Sequence, residues 1–308
     1  MKILVTGGAG FIGSNVAQAF CDAGHQVTVL DDLSTGKQAN VPAQAEFVHA
    51  DIASPQAAEL VADGGFQVID HHAAQISVPA SVADPVHDAQ SNVLGLLNLL
   101  EAGCKASLER FIFVSSGGAV YGELEGEPED ETFPARPLSP YAVSKRAGEL
   151  YLGYYSALHG LGAVVLRYAN VYGPRQVPHA EAGVVAIFMD CLLSGNEPFI
   201  YRPDDLPGGM LRDYTYVGDV VRANLMALDR GAGIYNIGTG IATDTLGLWQ
   251  AVQEAAGRSM GNQWGPARAG DIRYSALDCG LAAQELGWRP EHGLASGLAE
   301  TWAWRKSQ

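Results

Sequence analysis

Tyr141 and Lys145 stand four residues apart in SPYAVSKRAGEL, a spacing that puts a phenol and an ammonium on one face of a helix. An ammonium beside a phenol favours the phenolate and draws the tyrosine down from its ordinary pKa of about 10, which makes it a usable general base. Ser139 and Pro140, just before, suit an N-cap and a first helical position. Twenty-five residues upstream of Tyr141, the run RFIFVSS ends in Ser115 and Ser116, hydroxyls that could hydrogen-bond a reacting oxygen and relay its proton. Tyr-x-x-x-Lys alone is also an ordinary helix face, so its neighbours must decide.

Gly7, Gly10 and Gly13 recur at every third residue in TGGAGFIG, between an apolar run at 2–6 and an apolar helical stretch at 11–20. Gly7 suits a tight turn, Gly10 lets backbone N–H groups reach a pyrophosphate at a helix N-terminus, and Gly13 lets helix and strand approach closely. Asp31 closes the second apolar run, 18 residues past Gly13, where a carboxylate can accept both ribose hydroxyls of a dinucleotide. Asp31 and Asp32 would repel a 2′-phosphate, and no Arg follows closely to hold one, so NAD is expected rather than NADP. Its nicotinamide cation would add to the effect of Lys145 on Tyr141. Asp51 and Ile52, after the third run, are placed to meet the adenine, although Asp51 could equally cap a helix.

Strands expected at 2–6, 26–30, 46–49, 67–71, 110–115 and 163–167 are mostly continuous apolar runs with helical stretches between them, as in parallel strands covered on both faces. A βαβαβ order gives an α/β fold, a doubly wound parallel sheet of Rossmann type, with the ligand crevice beyond the carboxyl ends of the strands. After Gly173 the pattern turns to scattered helices, short strands and Pro/Gly-rich loops. A nucleotide-binding domain is therefore expected over 1–173, with some later segments returning to it, and a smaller substrate lobe over 174–308.

The chain has 308 residues and a formal net charge of −15, which disfavours phosphate polyanions and acidic membrane surfaces. Neither nucleic acid nor membrane is an expected partner. The start lacks the apolar core of a signal peptide, and no apolar run is long enough to span a bilayer, so a cytoplasmic enzyme with four reduced cysteines is expected. His71 and His72 are adjacent on a strand, point to opposite faces and cannot jointly chelate a metal in regular geometry. The C-terminal tryptophans read as core closure, and the charged run 123–131 as a solvated loop near the cleft.

TGGAGFIG, HHAAQ, SSGGAVYG, YAVSK, RYANVYGPRQ and RDYTYV together resemble the extended short-chain dehydrogenase/reductase family, and within it the bacterial-type UDP-hexose 4-epimerases, over essentially the whole chain. The resemblance implies that Phe11, Ile12, Asp31, Asp32, Ser34, Gly36, Asp51, Ile52, Ala73, Ala74, Gln75 and Asn92 join the glycine turn in binding NAD. It implies that Tyr141 takes the proton of the sugar 4-hydroxyl while hydride leaves C4, that Ser116 shuttles the proton, and that Lys145 holds the nicotinamide ribose and tunes Tyr141. Counting back from Val120-Tyr121-Gly122 puts the family's hydroxyl position on Gly117. Counting along the strand puts it on Ser116, with a bulge at the glycine pair and Ser115 as the fallback.

Gly117 and Gly118 stand where the family's 4,6-dehydratases carry an Asp-Glu pair and its decarboxylating members a Glu, which leaves epimerisation. By the same resemblance Arg212 and Arg268 bind the diphosphate, Asp271 the uridine ribose, Asn170 the diphosphate or hexose, and Phe199 and Tyr201 the uracil. Ser275 stands where members that exclude N-acetylated sugars carry Tyr, with Tyr274 one residue earlier as the alternative block. A homodimer through the helices at 85–104 and 139–159 is implied. The competing expectations are an epimerase of UDP-glucuronate or another nucleotide sugar, and a non-catalytic NAD-binding regulatory scaffold.

Overall fold

The six apolar runs become strands β1 (Lys2–Thr6), β2 (Gln26–Asp31), β3 (Glu46–His49), β4 (Val68–His71), β5 (Arg110–Ser116) and β6 (Gly162–Tyr168), each within one residue of its expected ends. The structure is a computed structural model that describes residues 1–106, 108–124, 126–178, 183–267 and 271–308. Between the strands run helices α1 (Phe11–Asp22), α2 (Pro55–Gly64), α3 (Val78–Ala83), α4 (Pro85–Ala89), α5 (Gly95–Lys105), the single turn α6 (Gly117–Val120) and α7 (Pro140–His159). A π-helical turn, Gln90–Leu94, joins α4 to α5.

Later in the chain come β7 (Asn170–Tyr172), α8 (Val184–Ser194), β8 (Phe199–Arg202), β9 (Leu211–Tyr216), α9 (Val217–Ala227), β10 (Gly233–Ile237), β11 (Ala242–Asp244), α10 (Thr245–Ala256), β12 (Gln263–Pro266), β13 (Tyr274–Ser275) and α11 (Leu294–Arg305).

The main sheet runs β3-β2-β1-β4-β5-β6-β10 with every neighbouring pair parallel. Chain order reverses between β1 and β4, and that switch point opens the crevice in which doubly wound folds bind ligands. Strand β10 was not among the expected strands: GIYNI is short and polar at Asn236, yet it pairs along all of 233–237 with β6. Arg110 at the start of β5 holds the segment leading into β10, donating through Nη1 to the carbonyls of Ala227, Arg230 and Gly231 at 3.0–3.1 Å.

Both faces of the sheet are covered, which is why its strands are mostly apolar. Ile3, Val5, Val29, Ile112 and Val164 pack against Val16 and Phe20 of α1 and Val220 and Ala223 of α9. On the other face Leu4, Leu30, Ile69, Phe111 and Phe113 meet Val61, Leu96, Leu99, Leu152 and Tyr155. A third cluster joins Tyr214 and Tyr216 of β9 to Phe188, Met189, Trp249 and Trp302. There β9 pairs antiparallel with β11 and parallel with β7 and β13, while β8 pairs with β12.

Two expectations need correction. Trp249, Trp288 and Trp302 are buried, but Trp264 is exposed and carries the Arg202 guanidinium 3.9 Å above its ring. The acidic run after Tyr121 is more than a solvated loop. Glu123 accepts the backbone N–H groups of Arg273 and Tyr274, Glu131 accepts that of Asn236 at 2.6 Å, and Glu129 bridges to Leu277. These acids clasp the strand β13 to the main sheet. Among the described residues no helix is long and apolar enough to cross a membrane.

Candidate active site

The glycine turn fits a dinucleotide by its lack of side chains. Gly7 has φ +67°, and a β-carbon there would stand 2.6 Å from the Ala73 nitrogen. A β-carbon on Gly13 would lie 2.4 Å from the Gly7 carbonyl oxygen, so α1 sits on the turn as closely as a backbone allows. The N-cap of α1 is Gly10, no side chain caps the helix, and its first turn holds no acid. Its positive end is thus open to a pyrophosphate at Phe11 and Ile12.

Asp31, at the carboxyl end of β2, braces this turn. Its two oxygens accept the N–H groups of Ala9 at 2.9 Å and Leu33 at 2.8 Å. Burial nevertheless raises its pKa above the ordinary carboxylate value. Each oxygen keeps a further lone pair, so holding the turn and accepting ribose hydroxyls are compatible. Gly36 packs on it, a β-carbon there falling 2.9 Å from Asp31 Oδ1. Asp32 is engaged with Ser34, whose N–H and hydroxyl donate to its Oδ1 at 2.9 and 2.6 Å.

Asp51 lies exposed and accepts the N–H of Ala53, while the cap of α2 is Ser54. Ile52 is buried against Gly95. Beyond β4, Ala73 and Ala74 follow His72 past the glycine turn, and Gln75 is locked to Asn92 by two hydrogen bonds, its N–H donating to Asn92 Oδ1 at 2.8 Å and its carbonyl accepting from Asn92 Nδ2 at 2.9 Å.

Helix α7 begins as its sequence implies, with Pro140 at its first position and Ser139 accepting the Ala142 N–H at 3.2 Å. The Tyr141 hydroxyl hydrogen-bonds Ser116 at the end of β5. Lys145 is buried, donates from Nζ to the Val114 carbonyl at 2.9 Å, and lies 5.9 Å from the centre of the Tyr141 ring. Burial pushes the Tyr141 phenol up to about 12, the Ser116 hydrogen bond opposing and the Asp88 charge assisting. Burial also draws Lys145 down to about 8, against the negative charges of Asp88 and Glu149. Burial thus raises Tyr141 in the protein alone, whereas the expected lowering was that of Lys145 together with the nicotinamide cation.

Ser115 has other work. Its hydroxyl donates to Glu149 Oε1 at 2.6 Å, and Glu149 takes Arg167 Nε at 2.8 Å and Nη2 at 2.6 Å and Arg146 Nη1 at 2.8 Å. Burial pushes the Glu149 carboxyl up, but the bonds and charge of Arg167, with Ser115 and Arg146, leave it below its ordinary value. Arg167 Nη1 continues to the Tyr121 hydroxyl at 2.7 Å, which donates to Asn236 of β10 at 2.8 Å. This buried network was not read from the sequence, although Glu149 stands at i+4 from Lys145. The expected bulge at the glycine pair is absent. Gly117 and Gly118 open the turn α6 instead, and a β-carbon on Gly117 would collide with Leu277 at 2.5 Å.

His71 and His72 do face opposite ways. Buried His71 hydrogen-bonds Thr6 Oγ1 at 2.7 Å through Nδ1 and stacks on Phe113, and burial, with Lys145 and His72 nearby, holds it well below its ordinary pKa. It faces Lys145 as a neutral ring. His72 instead approaches the buried Asp70 at 3.0 Å, off the line of a hydrogen bond.

On the substrate side, Gly118 has Asn170 Oδ1 and Ser275 Oγ as the nearest atoms to a β-carbon, at 3.5 and 3.9 Å, so both residues meet beside the catalytic turn. Ser275 is buried and pairs in register with Arg212. The Arg212 guanidinium is fixed by the carbonyls of Leu211 and Ile272, and burial draws its pKa down although Tyr214, Asp271 and Glu123 oppose this. Tyr274 points to the opposite face, among Val120, Tyr121 and Leu277. Phe199 and Tyr201 stack on each other in β8, away from these strands, with Phe199 52% exposed. Arg268 lies outside the described residues.

Known proteins resemble this chain in sequence and fold. The NAD dependent epimerase/dehydratase family matches residues 3–238. The UDP-glucose 4-epimerase of Mycolicibacterium smegmatis is 44% identical over 98% of this chain and 97% of its own. The crystal structure of Thermus thermophilus UDP-glucose 4-epimerase in complex with NAD superposes with a TM-score of 0.93 at 47% identity, covering 99% of both chains. That of the Thermotoga maritima UDP-glucose 4-epimerase with UDP-glucose gives 0.95 at 43%, covering 100% of this chain and 99% of the other. The chain belongs to the NAD dependent epimerase/dehydratase family.

Proposed function

We propose that this protein is an NAD-dependent UDP-hexose 4-epimerase that interconverts UDP-glucose and UDP-galactose through a 4-keto sugar. The observation that carries this reading is the hydrogen-bonded pair Tyr141–Ser116 next to Lys145, with the side-chain-free Gly117 and Gly118 where the family's dehydratases place an acid pair. Eliminating water from the sugar needs such an acid, whereas inverting C4 does not.

The glycine turn, the open end of α1, Asp31 and the Gln75–Asn92 pair are suited to hold NAD. Bound there, it would accept and return the hydride at C4 and add a positive ring that lowers the Tyr141 phenol. Tyr141 takes the proton of the 4-hydroxyl and gives it back once the sugar has turned its other face. Ser116 hydrogen-bonds the same oxygen and relays the proton, and Lys145 supplies the cation that favours the phenolate. Asn170 and Ser275 line the hexose pocket, and Arg212, preset by two backbone carbonyls, is positioned as a diphosphate ligand. Among the described residues no carboxylate oxygen is hydrogen-bonded to its guanidinium, and this with its burial favours that role over a surface ion pair.

The reading extends to a homodimer. Val143, Leu150, Tyr154 and Leu158 project exposed from α7 and Val86 and Leu94 from the adjacent helices, an apolar face suited to an isologous helical bundle. Four unpaired cysteines fit a reducing, cytoplasmic setting.

Nuclear magnetic resonance of products from a panel of UDP-sugars tests the activity. UDP-galactose from UDP-glucose is expected, and Tyr141→Phe should lower turnover at least ~100-fold while NAD still binds. Conversion of UDP-glucuronate alone would identify the rival epimerase, and NAD binding with no conversion of any sugar a regulatory scaffold. Light scattering tests the dimer, which requires twice the 32.5 kDa chain mass.

A further inference from the structure

Asp88 on α4 has no exposed surface, yet neither the resemblance nor the mechanism above gives it a task. Three neutral side chains donate to it: Gln75 Nε2 at 2.9 Å and Asn92 Nδ2 at 3.1 Å to Oδ1, and the Ser144 hydroxyl at 2.6 Å to Oδ2. These donors come from three separate elements, the loop after β4, the π-helical turn and α7. A π turn at a functional site commonly serves to aim a side chain. Here it follows Asp88 directly, and Asp88 and Asn92, four residues apart, converge on Gln75.

We propose that Asp88 is a positioning residue of the acid/base helix, tying α7 through Ser144 to the NAD-facing Gln75–Asn92 pair and setting a buried negative charge opposite Lys145. The proposal rests on the epimerase reading for its kinetic consequences but on geometry for its core. Ser144 lies three residues after Tyr141 and immediately before Lys145, so the tether fixes the rotation of the very turn that carries both groups. A misplacement of an acid/base group by a fraction of an ångström is costly. The other side of α7 is held by Glu149 through Ser115, Arg146 and Arg167, which leaves the catalytic turn between two buried carboxylates.

The charge matters as well as the tether. Tyr141 and Lys145 are faced by Asp88 from α4, Glu149 from α7, neutral His71 from β4 and Ser116 from β5. Asp88 raises both Tyr141 and Lys145. It keeps an ammonium on a lysine that burial would otherwise strip of its proton, at the expense of a more reluctant phenol.

Two variants separate charge from tether. Asp88→Asn preserves shape and removes the charge, and Ser144→Ala preserves the charge and cuts the bond. With lysines labelled at 13Cε, the Lys145 resonance, assigned by its loss in Lys145→Met, should titrate near pH 8 in the parent. It should move about one pH unit lower in Asp88→Asn and stay in place in Ser144→Ala. In UDP-glucose turnover, Asp88→Asn should lower kcat at least tenfold with KM changed less than about threefold, and both limbs of the kcat/KM profile should move to lower pH. Ser144→Ala should lower kcat about three- to tenfold with the limbs unmoved.

An unmoved Lys145 titration in Asp88→Asn overturns the electrostatic part, and parental kcat in Ser144→Ala overturns the tether, including the case in which Asp88→Asn does not fold. If the parent converts no UDP-sugar, the epimerase reading fails while the Lys145 titration still decides the role of Asp88.

Discussion

Ser115 and Ser116 are neighbours on β5 with opposite allegiances: Ser116 hydrogen-bonds the Tyr141 hydroxyl, and Ser115 donates a hydrogen bond to Glu149 at 2.6 Å. The pleat of a strand requires this, since successive side chains leave by opposite faces. Only one of two chemically identical groups can therefore face the Tyr141 hydroxyl.

The two alanine variants should part accordingly. Ser116→Ala is expected to lower kcat by about 10- to 100-fold with little change in melting temperature. Ser115→Ala leaves Glu149 short of a donor inside a buried network and should cost about 1–3 kcal/mol of stability while retaining most turnover. Urea unfolding alongside steady-state kinetics checks both, and the reverse pattern would make Ser115 the shuttle.

Asp31→Ala removes an acceptor for the ribose and a brace for Ala9 and Leu33 together. NAD affinity should fall about 10- to 100-fold, the worth of one or two charge-assisted hydrogen bonds. Titration calorimetry giving equal affinity for parent and variant would rule out Asp31 as the ribose ligand.

Lys145 makes stability depend on pH in a definite direction. Its pKa is lowered from 10.5 to about 8 in the folded protein, so between those values the unfolded chain binds more protons and the folded state gains as pH rises. Relative to Lys145→Met, the parent should gain up to about 3 kcal/mol from pH 8 to 10.5. Parallel curves for the two proteins in urea unfolding at those pH values would contradict the burial of an uncharged lysine.

Ser275 presents only a hydroxyl beside Gly118, and Tyr274 packs with Val120, Tyr121 and Leu277. UDP-N-acetylglucosamine should therefore be epimerised alongside UDP-glucose, and Ser275→Tyr should reduce kcat/KM for the N-acetyl sugar about tenfold or more relative to UDP-glucose. A parent that ignores the N-acetyl sugar, or an unchanged ratio in the variant, would show that the gate lies elsewhere.

What the sequence made legible was local. Apolar runs with turn residues between them located β1 to β6, and Gly7, Gly13 and Asp31 were legible because their spacing is itself the structural requirement. The strand β10 was not, since five residues with an asparagine among them carry little periodicity and gain their place only from pairing with β6. Asp88 and Glu149 were hidden for a related reason. Each is a lone acid on a helix that also has partners on other elements, Ser144 for Asp88 and Ser115 and Arg167 for Glu149, and no sequence pattern announces those contacts. The raising of the Tyr141 phenol by burial was not legible either, because the sequence displays the nearby lysine and not the desolvation.

The return of β10 to the edge of the sheet has a consequence for how this chain is made. Until residues 233–237 have emerged from the ribosome, β6 is an unpaired strand edge, the kind of surface that recruits wrong partners in a nascent chain. The strands β7, β8 and β9 are all synthesised in that interval. The main sheet thus closes only after much of the second lobe exists, and the backbone passes between the two repeatedly: out after β6, back at α9 and β10, out to β11, back at Ala282–Trp288 and out again to α11. Crossings this numerous act as a yoke, denying the lobe the free swing of a domain hung on a single linker.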